Sequence, residues 1–197
     1  MKTIEITIEG KTPLLMNRFT DERQMAATAG TSLTAVGDRG SPRDQAQGKL
    51  YLGQDDRPVI PQPNLFRCII DAGKFFKAGK SKVTTLKTSL IPSCVDMPEV
   101  EYVIHHDQPW EVDTRAVRIP STGGRILAHR PAFSDWRINF NVILDTTVMT
   151  ETLFRDLIDK AGSAIGLGDF RPDCKGPFGK FRVVNWESAD VAKMAAE

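Results

Sequence analysis

The chain has 197 residues, 41% of them hydrophobic and 26% charged, with a formal net charge of +1. That length suits one globular domain with elaborations, and the near-neutral balance excludes a surface coated in basic residues. No apolar run is long enough for a membrane-spanning helix, and Cys68, Cys94 and Cys174 form no CxxC pair, which excludes a disulfide framework and leads us to expect a cytoplasmic protein.

The chain opens "MKTIEITIEG", where Ile4, Ile6 and Ile8 alternate with Thr3, Glu5, Thr7 and Glu9. Period two predicts a strand with one buried face, and with no basic-then-apolar leader we expect no secretory signal. From Arg18 to about Arg57 apolar periodicity is weak, and a connection of this length is functional or mobile. Within it a short helix is predicted at 42–49, with Ser41 as N-cap and Pro42 at the first position. "VIPQPNLFRCIIDAGKFFKAG" predicts a helix opened by Pro61 and Pro63, with Leu65, Ile69, Ala72 and Phe76 as its apolar stripe and Gly79 as C-cap.

Residues 82–113 are mixed, and short strands are expected there. "TRAVRIPSTGGRILAHRPAF" follows, two basic strand-like runs about a Gly-Gly turn, which predicts a hairpin or extended arm. In "RINFNVILD", Ile138, Phe140, Val142 and Leu144 point one way and Arg137, Asn139 and Asn141 the other, giving either a wet recognition face or an ordinary solvated sheet. "TETLFRDLIDKAGSAIG" is the strongest helix, with Thr150 as cap and Leu153, Phe154, Leu157, Ile158, Ala161 and Ile165 as its stripe. A glycine-rich stretch leads into the strand "GKFRVVNW", and the tail "ESADVAKMAAE" is expected to fray or form a weak helix.

The order is α+β, a βαββαβ frame of ferredoxin-like or RRM-like type, with two helices on one face of a four-stranded antiparallel sheet. We expect a single domain over 1–197, with a loop insertion at about 18–58 and an arm insertion at about 82–130.

Charge is segregated along the chain. Residues 115–137 hold five arginines and residues 67–87 hold Arg67 and five lysines against the single acid Asp71. Residues 171–182 hold Arg171, Lys175, Lys180 and Arg182 against Asp173. Such segregation is compatible with a basic face on a nearly neutral molecule, although each cluster alone also reads as solvated charge.

Enzyme chemistry finds little support. His105 and His106 are adjacent, so a strand would point them to opposite faces, and His129 is distant; no zinc site is expected. "GLGDFRPDCKG" lacks the GKS or GKT ending of a phosphate loop and follows a helix instead of opening one. It is no dinucleotide fingerprint either, since no strand precedes it. No cofactor is expected. Asp21, Glu22 and Asp38 in the long connection leave open a metal-dependent phosphodiesterase, though solvated loop acids are commoner.

Nucleic-acid binding fits better. Glycine amides can form a nest for phosphate oxygens, and Arg171, Lys175 and Lys180 bring charge to the same stretch. Phe170 and Phe178 stack on bases or pack the loop onto the core; packing is favoured for Phe178. Arginines of the "RAVRIPSTGGRILAHR" arm can pair bidentately with phosphate.

The stretch "IGLGDFRPDCKGPFGKFRV" resembles the C-terminal glycine-rich loop of the RAMP superfamily, the repeat-associated proteins of CRISPR effector complexes. Gly166, Leu167, Gly168, Lys175, Gly176, Phe178 and Gly179 sit on its pattern, with "DFRPDC" as an added, more acidic segment. "IPQPNLFRCIIDAGKFF" resembles the first helix of Cascade-type backbone subunits, "TIEITIEGKTPLL" their first strand, and "TGGRILAHRP" part of the arm or thumb laid over a guide RNA. The resemblance implies a modified ferredoxin-like fold and binding of single-stranded guide RNA through its phosphates. It also implies head-to-tail association with neighbouring copies and with other effector subunits in a ribonucleoprotein.

Some branches cleave target RNA with an acid in the loop after the first strand, a connection comparable to that of Asp21, Glu22 and Asp38. No motif fixes which of these would act, and we expect a non-enzymatic RNA-binding subunit contacting RNA through Arg18, Lys49, Arg125, Arg130, Arg171, Lys175 and Lys180, with Gly166, Gly168, Gly176 and Gly179 shaping the loop. The alternatives are a metal-dependent ribonuclease on the same frame, a phage-type single-stranded DNA-binding or annealing protein, and a purely structural oligomer.

Overall fold

The computed structural model describes residues 1–19, 40–118 and 123–190. Its elements are β1 (Lys2–Gly10), β2 (Leu14–Leu15), α1 (Pro42–Gln47), β3 (Val59–Pro61), α2 (Gln62–Ala72), β4 (Lys77–Ala78), β5 (Ser81–Lys82), β6 (Val95–Asp96), β7 (Glu101–Val103), β8 (Glu111–Arg118), β9 (Arg125–Phe133), β10 (Arg137–Leu144), α3 (Glu151–Lys160) and β11 (Phe181–Asp190).

The alternation in the first strand does what period two requires: Ile4, Ile6 and Ile8 are fully buried, and the residues between them face away. β1 pairs antiparallel with β10 on one side and β11 on the other, and the sheet order is β11-β1-β10-β6. That is the strand order of a ferredoxin-like fold, with α2 and α3 packed on the Ile4–Ile6–Ile8 face. Leu65, Cys68, Ile69 and Ala72 of α2 meet Phe154, Leu157 and Ile158 of α3 over Phe140, Val142 and Leu144 of β10 in one apolar core.

Both helix starts follow the sequence. Ser41 and Asp44 make a reciprocal capping box at α1, and the Thr150 hydroxyl accepts from the Leu153 N–H at α3. α2 ends earlier than expected, at Ala72, and Gly79 is not its cap but the left-handed turn residue between β4 and β5. Gly73 closes α2 where the Thr84 and Val83 side chains press against it: a Cβ there would collide with the Thr84 side chain. Strand β11 runs to Asp190, farther than expected, because β1 offers it partners as far as Lys2. The rest of the tail lies outside the described residues.

Two findings refine the frame. The second strand of the sheet is the two-residue β6, inside the segment expected to be an insertion. The hairpin β8–β9, eight residue pairs long, belongs to a separate sheet with β2. Its base is held by Leu14 and Leu15 pairing with Phe133 and Ala132, while Arg118, Arg125 and Leu127 at its far end are exposed.

Candidate nucleic-acid interface

The connection from α3 to β11 starts with a single π turn, Ala161–Ile165, and bends at Gly166. From there it folds back onto the β1–β2 connection through backbone bonds. Asp169 N–H donates to Leu15 C=O at 2.8 Å, Gly179 N–H to Pro13 C=O at 2.8 Å and Leu167 N–H to Gly179 C=O at 2.9 Å. These bonds demand glycine. At Gly179, with φ +67°, a Cβ would enter the van der Waals shell of the Leu167 carbonyl, and at Gly168 it would strike the Leu15 carbonyl. A Cβ at Gly176 would strike the Phe170 carbonyl, and at Gly166 Pro172.

The amides of Gly166, Gly176 and Gly179 all donate to backbone carbonyls. This departs from an open phosphate nest: the glycines allow the loop to pack closely, and the charge it presents comes from side chains. Lys175 is exposed in the left-handed region, φ +62°, on the outer turn. Arg171 is half-buried and donates to the Gly168 carbonyl at 3.2 Å. Lys180 is half-buried, its N–H donating to the Thr12 hydroxyl at 3.0 Å.

The inserted acids order the loop. Asp169 Oδ2 sits 2.6 Å from Arg130 Nε as an ion pair without hydrogen-bond geometry, and it accepts from Asn17 Nδ2 at 3.1 Å. Asp173 accepts from Lys74 Nζ at 2.8 Å, and that ammonium holds its carboxyl below the usual range. The aromatic pair serves the loop too. Phe170 and Phe178 lie 6.0 Å apart between ring centroids, and the Arg115 guanidinium from the arm lies 4.8 Å over Phe178.

Two expected contact residues turn inward. Arg130 is 7% exposed and is held at the arm's base by Asp169. Lys49 is 5% exposed, and its Nζ donates to the His129 carbonyl. Burial of a charge requires such partners, so both side chains tie the arm to the body instead of facing solvent. Arg18 and Arg125 are exposed, Arg18 where its N–H meets the Lys49 carbonyl and Arg125 opposite Arg118 at the arm's tip. Asp21, Glu22 and Asp38 lie outside the described residues.

A depression of about 250 Å³ with a mixed polar and apolar lining forms where the loop, the end of β2 and the outer face of α2 meet. Asn17, Tyr51, Asn64, Arg67, Asp169 and Arg171 line it. Cys68 closes its floor, where burial pushes the thiol far up and the Sγ–H donates to the Gly166 carbonyl at 3.2 Å. Asn17, Tyr51 and Asn64 were missed from sequence because each stands alone in its segment; only the fold brings them to Arg171. The opposite face of the sheet is no rival. Glu9 there accepts from Arg182 and Arg137, which hold its carboxyl low, and Glu5 lies between Asn141 and Glu187. Among the described residues no cluster of three or more His, Cys, Asp or Glu side chains could hold a metal, and no helix is long and apolar enough to cross a membrane.

The chain matches no family model and no curated protein. Its fold is that of an α+β, ferredoxin-like protein with a basic arm. A solved structure with a similar fold is a chain of the Type III-B Cmr-beta complex bound to cognate target RNA, determined by cryo-EM. The TM-score is 0.57 and the sequence identity 10%, over 96% of this chain and 61% of that one. The present chain thus spans less than two thirds of the length of the chain it matches.

Proposed function

We propose that the chain is a non-catalytic, RNA-binding backbone subunit of a CRISPR-type ribonucleoprotein, holding guide RNA through its phosphates and associating head-to-tail with copies of itself and with other effector subunits. The observation that carries this reading is the depression that the glycine-rich loop, the end of β2 and the outer face of α2 form together, with the base of the basic arm tied to its wall by the Arg130–Asp169 ion pair. Support comes from the ferredoxin-like fold shared with a chain of an RNA-bound CRISPR complex. Arg171 and Arg67 offer guanidinium groups to phosphate there, Asn17 and Asn64 offer amides that can meet a ribose or a base edge, and Tyr51 offers a ring.

The 2′-hydroxyl is what lets such a site tell RNA from DNA. Competition between matched RNA and DNA single strands for the purified chain tests the reading. RNA is expected to win; equal competition or a DNA preference would instead favour a single-stranded DNA-binding protein.

A further inference from the structure

The five lysines between Asp71 and Asp96, a span without any acid, are not used by the depression beside the glycine loop. Lys74 belongs to the Asp173 ion pair. Lys77, Lys80, Lys82 and Lys87 are exposed and form no ion pair with any described residue. Their arrangement carries a cost. β4 and β5 form a hairpin of only two residue pairs, and one of these sets Lys77 directly opposite Lys82. Like charges facing each other across a ladder are destabilising, and Lys80 adds a third at the turn.

Beside this hairpin the 84–89 turn is built to hold its shape. Thr85 Oγ1 accepts from the Thr88 and Lys87 amides at 3.1 and 3.3 Å, and the Thr84 and Ser89 hydroxyls share a 2.8 Å bond. The turn therefore presents Lys87 and the wholly exposed Leu86 with little left to order on binding. A second depression runs between this turn and α2, lined by Lys74, Lys82, Lys87 and Thr85. Arg67 and Asp71 line both depressions, so the two adjoin across the outer face of α2. Phe75, next in the chain to Lys74, is 49% exposed, with the Lys74 and Lys160 ammonium groups 5.3 and 4.9 Å from its ring centre.

We propose that this lysine surface is a second phosphate-binding track, along which a single strand of RNA continues after leaving the glycine-loop depression across Arg67. It rests on the RNA-binding reading and extends it. Ammonium groups are point charges without a bidentate fork, which suits contact with successive phosphates of any sequence. Phosphate brought between Lys77 and Lys82 relieves their repulsion, and Phe75 gives a passing base a face to stack on.

The test compares the intact chain with Lys77→Gln/Lys80→Gln/Lys82→Gln/Lys87→Gln on a uridine homopolymer at several salt concentrations. Because repulsion is removed, the variant should melt no lower than the parent. The slope of log affinity against log salt should become shallower by up to about 2.8, or roughly 0.7 for each phosphate no longer neutralised. A parent that binds RNA and a variant with the same affinity and slope would overturn the track alone. The same holds if RNA binding is unchanged but the mass of the assembly shifts, which would make the surface a protein contact. A parent that fails to bind RNA even at low salt would overturn the RNA-binding reading itself.

Discussion

The glycine loop and the tip of the arm are both rich in basic residues, yet they spend them differently. In the loop, Arg171 turns back to its own backbone, and the two acids Asp169 and Asp173 are bound to Arg130 and Lys74 from other elements. At the tip, Arg118 and Arg125 face each other across the ladder in solvent. The loop is thus a fixed wall whose glycines and ion pairs set its shape, and the tip is a charged surface whose residues contribute little to holding the body together. Changes to the loop's glycines and ion pairs should therefore act on folding, and changes at the tip on polyanion affinity without a cost to folding.

The largest effect is expected at Gly179→Ala. Left-handed backbone and a collision with the Leu167 carbonyl combine there, and a loss of about 3 kcal/mol or more in denaturant unfolding is predicted. Next comes Arg130→Met, which leaves Asp169 without its cationic partner beside the buried base of the arm. We expect a loss of about 2 kcal/mol, less than for a fully buried pair because Asp169 is partly exposed. The companion change Asp169→Asn in the same chain should recover part of it, and a double-mutant cycle measures the coupling. Arg118→Gln/Arg125→Gln should leave unfolding within about 0.5 kcal/mol of the parent while making the salt slope of RNA binding shallower by up to about 1.4. Loss of folding in this variant would erase the contrast between loop and tip.

A small effect on stability is expected at Asp173→Asn, under about 1 kcal/mol for a partly exposed pair. Its pH dependence has a definite sign. The carboxyl is held below its usual value in the folded chain, so its contribution is present above about pH 4 and is lost as pH falls through the folded value. Parent and variant should melt alike in acid and diverge toward neutrality.

Much of the fold was legible because it rests on local pattern. The alternation in β1 and β10 and the caps of α1 and α3 all act within a few residues. What was not legible depends on distant pairing. Lys49 reads as a surface lysine until the His129 carbonyl is brought to it, and "DFRPDC" reads only as an added acidic segment until Arg130 and Lys74 arrive from other elements. The shortness of β6 also escaped, since two residues carry no period. At the site, Arg171 and the glycines were identifiable from their motif, whereas Asn17, Tyr51 and Asn64 became neighbours only through folding.

The salt dependence of single-stranded RNA binding by the intact chain tests the central claim most directly. The account predicts that log affinity falls linearly with log salt, by roughly 0.7 for each phosphate neutralised, with a total slope reporting several phosphates. Affinity that does not change with salt, or no binding to RNA at low salt, would contradict it.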